Sequence, residues 1–153
     1  MAASAYDYAL NLLSARAYTT RDLGRKLAQK GFEKSEAAET IARLTASGLL
    51  NDQKYAEEFA RQRLVVAGAS KRRVEQLLAG KGISREVARA AVEKVVEDED
   101  VDTVGAMEKM GRKKLMSLGD LDPFVKRRRV FGFLARKGYD LDEINHVLSR
   151  ILP

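Results

Sequence analysis

LGRKLAQKGF (residues 23–32), VEQLLAGKGI (74–83) and VFGFLARKGY (130–139) are one ten-residue phrase written three times: an apolar residue, three further residues, Leu, Ala, any residue, Lys, Gly and a large apolar side chain. Gly31, Gly82 and Gly138 stand 51 and 56 residues apart, so an internal repeat of about fifty residues organises the chain. Two apolar residues four apart share one helix face. The glycine stands where a helix C′ residue takes a positive φ without steric penalty, and the large residue after it can fold back as the apolar contact of the cap. Lys30, Lys81 and Lys137 sit in the last turn, where a cation suits the negative end of the helix dipole. Each phrase therefore reads as the end of a helix.

The repeat extends on both sides of the phrase. Ten and thirteen residues after each glycine come Ile41 and Leu44, Val92 and Val95, and Leu148 and Ile151, which predicts a following amphipathic helix with Ser35, Ser84 and Asp140 as N-caps. Upstream, Thr19 or Thr20 and Ser70 can cap the phrase helix, and Asp122 with Pro123 gives a cap and an N1 proline for the third. A leading helix in each unit is expected to turn Tyr6, Leu10 and Leu13, then Tyr55 or Ala56, Phe59 and Val66, then Val104, Met107 and Met110 inward. Pro123 and Pro153 are the only prolines, and helical spacing dominates throughout. The expectation is an all-α fold of three tandem three-helix repeats with helix-turn-helix-like units, at about 4–48, 52–97 and 102–152, forming an elongated, curved array. EDEDVD (97–102) and MSLGDL (116–121) read as hinge and loop. Packing explains the repeated apolar and glycine positions, because small helical units that cannot close a core alone stack on one another.

Composition bounds the function. At 153 residues, with 45% hydrophobic and 33% charged residues, the chain is too apolar for disorder and too charged for a membrane span. It has no run of about eighteen apolar residues, and MAASAYDYAL lacks a basic n-region and a continuous apolar h-region. A soluble, cytoplasmic monomer without membrane contact is expected. No Cys occurs, which removes disulfides, thiolate nucleophiles and Cys-based zinc sites. GKG at 80–82 lacks the pattern of a phosphate loop and follows a helix. The single histidine, His146, has no Ser or carboxylate spaced to make a triad and reads as a surface residue. Asp98, Asp100 and Asp102 open like a calcium loop, but Thr103 stands at the sixth position and Lys109 at the twelfth, where Gly and Glu belong. Nothing resembles a catalytic arrangement, and no cofactor is expected.

The basic residues say more. Lys and Arg number 28 against 22 Asp and Glu, a net +6, which favours an acidic or polyanionic partner. Arg21, Arg72 and Arg128 share one register ten residues before the phrase glycine and point away from the core. In the first two units that Arg stands in the opening turn, where the helix dipole disfavours a cation, and a partner anion would offset the cost. Around them cluster Arg25 and Lys26, Lys71 and Arg73, and Lys126, Arg127 and Arg129, with Arg112, Lys113 and Lys114 on the third leading helix. These residues are the candidate contact surface for phosphate or for a carboxylate-rich protein. A major-groove reading by the last helix of each unit is disfavoured, because Glu36, Glu39, Glu86, Asp140, Asp142 and Glu143 would meet phosphates. Aromatics are 7% of residues, too few for an extended base-stacking platform.

With KGF, KGI and KGY closing the middle helices, and GLLND (48–52) followed by YAEEFARQR (55–63), Gly68 and VEQLLAGKGI, the chain resembles the RecX family of bacterial recombination regulators over about residues 5–152. Asn51 stands where the family carries Asp, and either residue caps a helix. The resemblance implies a protein without enzymatic activity that regulates homologous recombination. It would bind the RecA recombinase and its nucleoprotein filament, lie in the filament groove, and restrain ATP hydrolysis, strand exchange and filament growth. Single- and double-stranded DNA would be touched through phosphates. A stand-alone DNA-backbone-binding protein and a helical adaptor for an acidic protein are the competing readings.

Overall fold

The computed structural model describes residues 3–153 and holds, among them, nine α-helices, one π-helical segment and no strand. The first repeat comprises Ala5–Ala15 (α1), Thr20–Lys30 (α2) and Lys34–Ala46 (α3). The second comprises Asp52–Arg61 (α4), continued by the π-helical Gln62–Val66, then Lys71–Gly80 (α5) and Arg85–Asp98 (α6). The third comprises Thr103–Ser117 (α7), Pro123–Arg136 (α8) and Leu141–Ile151 (α9). The phrase helices are α2, α5 and α8.

The phrase ends as its residues dictate. Gly31, Gly82 and Gly138 have φ of 99°, 87° and 93°, and the next residue's N–H reaches back to a phrase leucine: Phe32 to Leu27 O at 3.2 Å, Ile83 to Leu78 O at 3.1 Å, Tyr139 to Leu134 O at 3.4 Å. This closes the orphan carbonyls of the helix end. It also swings the large residue inward, so Ile83 and Tyr139 are buried and Phe32 packs half-buried on the first core.

Each repeat closes its own core around the two apolar phrase residues. Leu23 and Leu27, Val74 and Leu78, and Val130 and Leu134 are all fully buried, each contributing about 1.5–3 kcal/mol relative to exposure. Leu44, Val92, Val95, Leu148 and Ile151 meet them from α3, α6 and α9. A compact 17.0 kDa protein would expose about 7,700 Å²; this chain exposes 9853 Å². Three small cores in a row leave more surface than one large core.

Two local expectations fail for identifiable reasons. The N-cap of α3 is Glu33, without a side-chain cap bond, and not Ser35. In the repeat register Ser84 and Asp140 lie two residues after their glycines, as Glu33 does, while Ser35 lies four after and falls inside the first turn. Val66 does not face the core: it is 74% exposed, and Ala56, Ala60 and Leu64 are buried instead. The helix widens after Arg61, with the Ala67 N–H bonded to Gln62 O at 3.1 Å, and the i→i+5 turn rotates everything beyond Leu64 off the stripe. The remaining caps follow expectation. Thr19, Ser70 and Asp122 cap the phrase helices, Ser84 and Asp140 cap α6 and α9, and Asn51 caps α4 through the Lys54 N–H at 3.1 Å.

Candidate functional site

Arg21, Lys71, Arg72 and Arg73 lie at the joints between repeats. The Thr19 hydroxyl accepts the Asp22 N–H at 3.2 Å and donates to Lys81 O, in the next repeat, at 2.8 Å. Ser70 repeats the arrangement, accepting from the Arg73 N–H at 3.1 Å and donating to Lys137 O at 2.9 Å. A hydroxyl carries both a donor and acceptor lone pairs, whereas a carboxylate cap could only accept. This explains why both positions hold Ser or Thr, and both are buried. The carbonyls of Lys81 and Lys137 are among those a helix end leaves unpaired. Thus the N-terminus of one phrase helix abuts the C-terminus of the next, and opposite dipole ends meet.

The contact is tight enough to require glycine. A Cβ on Gly82 would lie 2.7 Å from the Arg21 Cβ, and one on Gly138 would lie 2.9 Å from the Ser70 Oγ. The same glycine thus serves the cap and the joint. Gly31, by contrast, has nothing within 4 Å.

This geometry answers the question of the cation in the opening turn. The Arg21 guanidinium donates to Gly80 O, at the end of α5, and pairs with Asp22 at 3.4 Å. The anionic end that offsets the dipole cost is the chain's own next helix. Thr20 adds to this joint, donating through its N–H at 2.8 Å and its hydroxyl at 3.1 Å to the Asp52 carboxylate.

The other candidate cations are placed differently. Arg25 is exposed and borders, with Arg21, a shallow groove between α2 and α3; Lys26 is half-buried. Lys71, Arg72 and Arg73 are exposed. Lys71 and Arg72 border a crevice at the second joint with Thr103, Asp140 and Glu143. On α8, Lys126 is half-buried, and Arg127, Arg128 and Arg129 are exposed. Among the described residues, Arg21, paired with Asp22, and Arg112, paired with Glu108 at 2.9 Å, are the candidate cations with an ion-pair partner within 4.0 Å. Glu36, at the start of α3, accepts the Ala5 N–H at 3.1 Å, so this acidic first turn holds its own repeat together.

The third repeat departs from the other two. Its phrase helix begins one turn early, so Lys126, Arg127 and Arg128 occupy the register of Thr19, Thr20 and Arg21. In this repeat the positions equivalent to the joint residues carry cations. From residue 101 onward the chain has eleven Lys and Arg against seven Asp and Glu, a net +4 of the total +6; residues 51–100 have ten of each. The positive charge is therefore concentrated toward the C-terminal repeat.

One recurrent feature escaped the sequence reading. The phrase lysine lies over an aromatic ring in every repeat: Lys30 over Tyr8 at 5.4 Å, Lys81 over Phe59 at 5.6 Å and Lys137 over Phe133 at 5.1 Å. Such cation–π contacts hold the lysine against its repeat. Tyr8 and Phe59 are 51 residues apart, the same spacing as Gly31 and Gly82, which was the available signal. Tyr139 is more than a cap contact: its hydroxyl donates to Gly68 O at 2.6 Å across the second joint. Burial, with Glu143 nearby, pushes its pKa up to about 12, so it stays a neutral donor.

His146 is exposed, and no cluster of three or more His, Asp or Glu suited to a metal exists among the described residues. No helix there is long and apolar enough to cross a membrane.

Comparison with known proteins fits this repeat structure. Family models for the first, second and third three-helix domains of RecX match residues 5–44, 51–92 and 100–148. A regulatory protein RecX from Amycolatopsis mediterranei is 36% identical over 135 residues, covering 88% of this chain and 75% of that protein. One from Clostridium perfringens strain 13 is 32% identical over 135 residues, covering 87% and 61%. The crystal structure of RecX from Lactobacillus salivarius superposes with a TM-score of 0.85 at 22% identity, covering 96% of this chain and 94% of that one. The joined three-helix repeats and these matches together show that the chain belongs to the RecX family of regulatory proteins.

Proposed function

We propose that this protein binds the nucleoprotein filament of a RecA-type recombinase along its helical groove. There it restrains ATP hydrolysis, strand exchange and filament growth without catalysing a reaction itself. Family membership supports the regulatory part. The observation that carries the contact is the set of exposed cations, without an ion-pair partner among the described residues, repeated along a jointed array: Arg25 on α2, Lys71, Arg72 and Arg73 on α5, and Arg127, Arg128 and Arg129 on α8, with the half-buried Lys26 and Lys126 beside them. A periodic acidic polymer lets weak contacts from each repeat add, because every contact after the first is intramolecular. Arg21 supports this surface from the joint.

The test is single-strand-dependent ATP hydrolysis by the cognate recombinase, with this protein titrated below stoichiometry. Hydrolysis should fall as the protein co-sediments with filaments. Unchanged hydrolysis with no association would refute the reading. A salt series on naked DNA separates filament recognition from simple backbone binding, for which log K falls by about 0.9 per phosphate contact with log salt on duplex.

A further inference from the structure

Of the three rings that carry a phrase lysine, Phe133 differs in its surroundings. Tyr8 packs on Phe32 at 5.8 Å between centroids, and Phe59 stacks on Tyr55 at 6.2 Å. Phe133 has no aromatic neighbour among the described residues. It is half-buried in a groove of about 330 Å³ between α7 and α8, bordered by Met110, Lys113, Lys114, Ser117 and Lys137. The size falls in the range of small-ligand sites. No carboxylate borders this groove, in contrast to the crevice at the second joint with Asp140 and Glu143. The ammonium groups of Lys114 and Lys137 lie 5.4 and 5.1 Å from the ring centroid, and neither Lys113, Lys114 nor Lys137 has an ion-pair partner among the described residues.

The repeat register shows what is particular to this groove. The residue five before the phrase glycine is Lys26 in the first repeat, Leu77 in the second and Phe133 in the third. The leading-helix position that holds Tyr8 and Phe59 holds Met110. The aromatic has moved from the leading helix to α8, and three lysines border its new site. Along α8, Lys126, Arg129, Phe133 and Lys137 follow at spacings of three, four and four residues, which places them on one stripe of the helix.

We propose that this groove binds single-stranded nucleic acid, with a base against the Phe133 ring and the flanking phosphates against Lys113, Lys114 and Lys137. A half-buried ring that borders an open groove beside point cations suits a ligand that carries a flat ring and singly charged oxygens together. An acidic peptide would use the charges and leave the ring idle. The net +4 of this repeat supplies the attraction for a phosphate chain. The inference builds on the phosphate contacts of the proposed function and locates one of them.

The experiment uses the full chain with a labelled oligothymidylate and an abasic strand of the same length. Phe133→Leu, which keeps an apolar side chain, should weaken oligothymidylate binding about tenfold and leave the abasic strand unaffected. Lys113→Gln with Lys114→Gln should weaken both strands and lower the salt slope by about 1.4. Because the chain has no Trp, Phe133→Trp introduces a single indole, whose fluorescence should be quenched by oligothymidylate and not by the abasic strand. Equal losses on both strands, an unquenched indole, or displacement of the oligonucleotide by polyglutamate with matching dependence on Phe133 would overturn the site. Hydrolysis inhibition that survives Phe133→Leu alongside unselective strand binding defeats the groove and spares the filament reading. Base-selective binding without any effect on the recombinase does the reverse.

Discussion

The two joints share the hydroxyl-to-carbonyl bond and the glycine beside it and differ in the residues that flank the hydroxyl. At the first, Thr19 is flanked by Arg21, which reaches Gly80 O, and by Thr20, which holds Asp52 through two bonds. At the second, Ser70 is flanked by Lys71 and Arg72, which bond nothing across the joint, and the remaining link is Tyr139 to Gly68 O. Thr103 stands 51 residues after Asp52 and brings no carboxylate to the equivalent place. The first joint uses Arg21 to hold two repeats together. The second leaves Lys71 and Arg72 at the surface, and α8 carries Lys126, Arg127 and Arg128 in the same register. The same register thus yields a clamp, a joint with cations at its surface, and a cationic stretch on α8.

The sharpest way to break the comparison is at the glycines. Gly82→Ala forces a side chain into the positive-φ region and into the Arg21 side chain, and should cost about 3 kcal/mol in urea unfolding. Gly31→Ala meets only the backbone penalty and should cost about 1 kcal/mol; equal losses would mean that the joint bears no packing load. Ser70→Ala removes a cap and leaves Lys137 O without its donor, for about 2 kcal/mol. Amide exchange should then rise in the third repeat while the first keeps its protection.

Tyr139→Phe should cost about 1 kcal/mol. In the unmodified chain the raised pKa of Tyr139 favours the protonated phenol in the folded state. Its contribution is therefore complete below the ordinary tyrosine pKa near 10 and is lost as pH rises toward about 12. A stability profile across that window, absent in Tyr139→Phe, checks the sign.

Much of this was legible locally. The phrase glycines, the caps at Ser70, Ser84 and Asp122, and the inward residues of α6 and α9 follow from periods of three and four. Ser35 has the chemistry of a cap and not its register, which points to Glu33. Val66 misled because a π-helical turn changes the period without a marker residue. The joints were not legible: Thr19 to Lys81 and Ser70 to Lys137 span 62 and 67 residues, and such a bond leaves no local pattern. For that reason Arg21 and Arg72 look equivalent in sequence and are not equivalent in the fold. The Phe133 groove was hidden likewise, since its ring and lysines come from two helices and break the repeat.

The division between clamp and contact surface is tested most directly by measuring both stability and filament association for two variants side by side. Arg21→Gln should lower stability by about 1 kcal/mol and leave co-sedimentation with recombinase filaments nearly unchanged. Arg72→Glu combined with Arg128→Glu should keep the melting temperature and weaken co-sedimentation by an order of magnitude or more. Undiminished association of the double variant, or its loss in Arg21→Gln at unchanged stability, would contradict the account.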